Sequence, residues 1–89
     1  MKATMKQNQD GTYQYILERN DGSIEIARKS SKRTFKYMLV GRLSKSKGAS
    51  KDGADWSFIA MGNNPKNIIN SWKYLYTYCD KEIINIEQA

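Results

Sequence analysis

Histidine is absent from this 89-residue chain, and cysteine occurs once, at Cys79. Those two shortages exclude a disulfide scaffold, a Cys/His zinc site and any catalysis that relies on imidazole. Long apolar runs are missing too, since no stretch approaches the ~20 residues that a membrane span needs. Met1-Lys2 leads into the polar run Ala-Thr-Met-Lys-Gln-Asn-Gln-Asp, where a signal peptide would place an apolar segment. An unpaired cysteine without an export signal is expected of a reducing cytoplasm.

What is present still makes a fold. Two Trp, six Tyr, two Phe and nine Ile supply a core, although 27% of the residues are charged. The length allows a single domain, 1–89, with a thin core that self-association into a homodimer or a bound partner would help to stabilise.

The first eleven residues are polar and are expected to fray. From Thr12 onward, Tyr13, Tyr15 and Leu17 alternate with Gln14, Ile16 and Glu18, the pattern of a strand. Asn20-Asp21-Gly22 then supplies the positive φ angles of a tight hairpin, and Ser23 to Ala27 resumes the alternation. A third strand is expected over Arg33 to Leu43, with Phe35, Tyr37, Leu39 and Leu43 on one face. Residues 44–55 hold no apolar side chain larger than Ala and are expected to form a flexible basic loop. Trp56 to Met61 reads as a fourth strand with Trp56, Phe58 and Ala60 on one side. Asn64-Pro65 is a helix start, because Asn caps free amides and Pro at the first helical position loses no hydrogen bond. Ile68, Ile69, Trp72, Leu75, Tyr76 and Cys79 recur at helical spacing, with Cys79 as a small buried hydrophobe. Glu82 to Glu87 closes the chain as a peripheral strand. The expected fold class is therefore α+β: a mainly antiparallel sheet in the order β-β-β-β-α-β, with one helix packed on one face.

Charge is distributed unevenly. The chain carries 15 basic and 9 acidic residues, and the whole +6 excess lies in residues 1–55. Between Ile26 and Lys51 there is no acid, but there are nine bases: Arg28, Lys29, Lys32, Arg33, Lys36, Arg42, Lys45, Lys47 and Lys51. Lys36 and Arg42 share the strand face opposite Phe35, Tyr37 and Leu39, so they are expected to project into solvent. Cations on a sheet plus a Lys/Ser/Gly finger, in which Lys45, Lys47 and Lys51 act as a clamp, suit a nucleic-acid backbone. The alternative is a solvated face that keeps a small protein soluble.

Other motifs carry less chemistry. Asp52-Gly-Ala-Asp55 has too few oxygen ligands for a Ca²⁺ loop. Ser46-Lys47-Gly48 lacks the spacing of a phosphate-cradling loop. No cofactor, metal or catalytic residue is expected, and the chain reads as a binding module and not an enzyme. Away from the apolar stripe of the expected helix, Asn67, Ser71, Tyr74 and Tyr78 line up at three- and four-residue spacing. That row is either a protein interface or a shield for the helix edge.

Arg28-Lys-Ser-Ser-Lys-Arg-Thr-Phe-Lys-Tyr-Met-Leu-Val40, followed by the Trp56 strand, the Asn-Pro helix and an Ile-rich last strand, resembles small orphan proteins of bacteriophages and mobile elements. The likeness spans residues 12–87 and carries over no functional residues. It implies one class of activity, the phage-encoded inhibitors of bacterial defence that include anti-CRISPR proteins. Two functions are thus expected. One is engagement of nucleic acid or a nucleoprotein complex by the 28–51 basic surface; the other is inhibition of a host defence protein by protein–protein binding.

Overall fold

A computed structural model describes residues 1–29, 31–43, 56–73 and 79–89. Its elements are β1 (Lys2–Gln7), β2 (Tyr13–Glu18), β3 (Ile24–Lys29), β4 (Tyr37–Leu43), β5 (Ser57–Gly62), α1 (Pro65–Ser71) and β6 (Cys79–Gln88). The class is α+β, a six-stranded sheet with one short helix. No helix among the described residues is long and apolar enough to cross a membrane.

The first correction concerns the amino-terminal residues. Instead of fraying, they form β1, which lies inside the sheet order β3-β2-β1-β6-β4-β5. Ala3 and Met5 point into the core from β1, at 0% and 7% exposure, so the strand is anchored by burial despite its polar neighbours. β6 also differs from expectation. It is a central strand, parallel to β1 and antiparallel to β4, and it begins at Cys79, which is therefore not helical. The helix itself stops at Ser71; Leu75 and Tyr76 lie outside the described residues.

Two hairpins repeat one turn. In each, a residue donates its amide to the carbonyl four positions on: Asn8 to Thr12 at 2.7 Å and Arg19 to Ser23 at 2.9 Å. In each, the glycine amide returns to the first carbonyl, Gly11 to Asn8 and Gly22 to Arg19. Only the glycines have positive φ, 86° at both positions. The geometry is a three-residue loop closed by a glycine bulge, not a turn with two positive-φ residues. Asp10 and Asp21 lock the loops, each carboxylate accepting from the amide and hydroxyl of the residue two places on.

This turn fixes which side of β3 is buried. It sets Leu17 opposite Glu25 and Tyr15 opposite Ala27, so Glu25 and Ala27 share the face of the buried Tyr15 and Leu17. Ile24 and Ile26 consequently stand outward, 60% and 51% exposed. Hydrophobicity alone would have chosen the reverse.

The core cluster is Ala3, Met5, Tyr15, Leu17, Met38 and Val40, with Trp56, Phe58 and Met61 packed against it. Met38 and Val40 thus occupy the main buried face of β4. Leu39 is equally buried, on the opposite side of the strand by alternation. The expectation that the Tyr37/Leu39 face alone is core is overturned, and Lys36 and Arg42 reach solvent at the two ends of β4, not on a solvent face. On β5 the register shifts so that Leu39 pairs with Ala60 but Val40 pairs with Phe58. The skipped Ile59 changes the parity, leaving Ala60 opposite in facing to Phe58.

The sheet curls until its two edges meet. Arg19, just beyond β2, donates through Nε to the Trp56 carbonyl, and through Nη2 to Glu25 Oε2 at 2.6 Å. Glu25 Oε2 also accepts from the Phe58 amide at 3.2 Å. An inward glutamate is tolerated because an arginine and an edge-strand amide satisfy it there.

Candidate functional site

The segment joining β3 to β4 is irregular yet pinned. The Tyr15 hydroxyl donates to the Arg33 carbonyl at 3.3 Å and accepts from the Phe35 amide at 3.2 Å. The Lys36 amide donates to Asn63 Oδ1 at 3.2 Å, and the Lys36 carbonyl accepts from the Ile86 amide at 2.8 Å. With backbone atoms of Arg33, Phe35 and Lys36 hydrogen-bonded to the fold, Lys32, Arg33 and Lys36 present exposed side chains. None of the three takes part in a salt bridge among the described residues.

The predicted basic set is divided by the fold. Arg28 and Lys29 end β3, facing Gln14 and Tyr13 in the ladder, and lead into the pinned segment with Lys32, Arg33 and Lys36. Arg42 is exposed at the far end of β4, where its backbone pairs with Asp80. Six residue steps of strand separate it from Lys36, about 20 Å. Lys45, Lys47 and Lys51 lie outside the described residues, as do Asp52 and Asp55. Of the six described members, five thus lie toward one end of the sheet and one at the other.

Beside the pinned segment lies a cleft of about 320 Å³, at the lower end of the range for small-molecule sites. Arg33 and Phe35 form one wall; Ala60 to Asn64 at the end of β5 form the floor; Asn67, Ile68, Ser71 and Trp72 form the other wall. Its shape depends on Gly62. A Cβ there would stand 2.8 Å from Cγ1 of the buried Ile68, so only glycine lets α1 lie this close to β5. The helix begins as the sequence predicts: Asn64 Oδ1 accepts from the Lys66 and Asn67 amides, and Pro65 takes the first helical position.

Among the described residues the lining combines one cation, three amide side chains, a hydroxyl and two aromatic rings, with no carboxylate. The Arg33 guanidinium sits over the Phe35 ring, 6.0 Å from its centroid, close enough for attraction to the ring face. Of the predicted protein-interface row, Asn67 and Ser71 are exposed and line this cleft. Tyr74 and Tyr78 lie outside the described residues.

Sequence reasoning missed Phe35, Asn63, Asn64 and Trp72 as site residues, and the exposed Lys66 and Lys73 beside them. One signal was available. From Ile26 to Cys79 the only acids are Asp52 and Asp55, so every wall of the cleft comes from acid-free sequence. No group of three or more potential metal ligands occurs among the described residues. No protein-family model, curated protein or solved structure matches this chain.

Proposed function

We propose that this chain is a non-enzymatic binding module that engages a polyanion, nucleic acid, through the basic segment entering β4. The observation that carries it is the pinned 31–36 segment: Lys32, Arg33 and Lys36 are exposed, without salt-bridge partners among the described residues, on a stretch whose Arg33, Phe35 and Lys36 backbone atoms make four hydrogen bonds to the fold. Preorganised cations lose little entropy on meeting phosphates, and the release of condensed counterions supplies the free energy. Arg28 and Lys29 extend the same cationic stretch; Arg42 lies too far along β4 to join it.

The test is binding of a fluorescein-labelled nucleic acid, followed by anisotropy across a salt series. The expected result is a steep fall in affinity with salt. Replacing Lys32, Arg33 and Lys36 together by Ala should flatten the log–log slope by about 2–3, the loss of three phosphate contacts. An unchanged slope would remove this segment from the interface. The Lys45/Lys47/Lys51 triple replacement measures the share of the loop separately.

A further inference from the structure

We propose that the cleft between Phe35 and Trp72 receives one unpaired base of a single-stranded nucleic acid, while Arg33 holds the adjoining phosphate. This inference rests on the polyanion reading above and assigns it a substrate class. A surface that only follows phosphates needs cations and nothing else. Here one cation, Arg33, shares the lining of a cleft with amide, hydroxyl and aromatic side chains.

The donors are not consumed by the fold. Asn63 and Asn64 spend their side-chain oxygens on the Lys36, Lys66 and Asn67 amides. Their amide nitrogens donate to no acceptor among the described residues, and the Asn67 and Ser71 side chains bond to none of those residues. Three NH₂ groups and a hydroxyl thus belong to residues that line the cleft and remain available to the carbonyl and ring-nitrogen acceptors on base edges. Phe35 and Trp72 add aromatic surface to the lining, the kind of surface that unstacked bases use. A duplex keeps its bases stacked and paired, and cannot place one against either ring without flipping it out. No carboxylate among the described lining residues opposes a phosphate at Arg33.

The experiment uses the full chain and three labelled probes of about twelve nucleotides, within the span of small single-strand sites. They are a single strand (prepared as DNA and as RNA), the same sequence as a blunt duplex, and an abasic strand with the phosphate backbone intact. The expected result is binding of the single strand about tenfold tighter than either of the others, the worth of one stacked base. Asn67→Asp, an exposed and isosteric change, should bring the single strand down to the abasic level by setting a carboxylate in the cleft. Ser71→Ala should weaken it less, and thermal melting confirms that both variants fold. Equal binding of all three probes, unchanged by Asn67→Asp but still salt-dependent, overturns the base cleft and leaves the phosphate surface standing. No binding of any probe overturns both.

Discussion

The Tyr15 hydroxyl and the Phe35 amide lie 3.2 Å apart, and through that bond the centre of β2 holds the segment that carries Lys32, Arg33 and Lys36. The Tyr15 ring is fully buried, and its centroid lies 6.1 Å from that of Phe35. Burial pushes the phenol above its ordinary value of 10, and the Phe35 amide opposes part of that rise.

Tyr15→Phe keeps the ring and removes both hydrogen bonds, leaving the Arg33 carbonyl and Phe35 amide without this partner. Denaturant unfolding should show a loss of about 1–2 kcal/mol. Because the folded phenol titrates later than the unfolded one, its contribution is full below pH 10 and is lost as pH rises through the folded value. Wild-type stability should therefore fall in alkali more steeply than that of the phenylalanine variant. Parallel curves would show that the phenol is not the responsible group.

Gly62→Ala tests the floor of the cleft. The new methyl would meet Ile68 Cγ1 at 2.8 Å, and Ile68 is only 6% exposed, so the packed Ile68 side chain or the helix that carries it must shift. The expected cost is about 1–3 kcal/mol, as for other overpacked sites. Ser57→Ala, at an exposed position on the same strand, is the control and should be near neutral.

The charged closure of the sheet should behave as one unit. Arg19 and Glu25 side chains are 14% and 31% exposed, so the pair is partly screened and worth less than a dry ion pair. Arg19→Ala and Glu25→Ala should each cost about 1–3 kcal/mol, and the double variant distinctly less than their sum. Strict additivity in chemical denaturation would mean that the two residues act independently.

Acid should loosen the turns. Asp10 and Asp21 carboxyls are held below their ordinary 3.8, first by the side-chain hydroxyls of Thr12 and Ser23 and then by the amides of those residues. A depressed folded pKa means that the stabilisation is present above 3.8 and disappears as pH falls through the folded value. A carboxyl-detected NMR titration should place both midpoints below that of an unstructured aspartate. Asp21→Asn should remove the pH dependence contributed by the second turn.

Much of this architecture is written locally. The β2–β3 hairpin announces itself in Asp21-Gly22-Ser23, and Asn64-Pro65 marks the helix start. Asp10-Gly11-Thr12 carries the same turn chemistry, with Met1, Ala3 and Met5 alternating before it, but the Lys, Thr and Gln residues between them mask β1. Other features depend on partners far along the chain. The skipped Ile59 follows from the pairing of β5 with β4, and the inward Glu25 is acceptable only because Arg19 and Phe58 come to meet it. The helical spacing that reaches Cys79 gives no hint that this residue starts a central strand. For the candidate site, Lys32, Arg33 and Lys36 stand out as charge in the sequence. The cleft does not, because Phe35 and Trp72 reach it from distant segments that become neighbours only after the sheet has formed.

The pairing of Ala3 with Ile86, and of Met5 with Gln88, bears on how the molecule is made. β1 must wait for β6, far along the chain, and closing so large a loop slows folding. During translation β1 and β4 keep open edges until β6 arrives between them, which is when unwanted strand pairing is most favoured. The nascent chain is thus most prone to aggregation just before β6 leaves the ribosome.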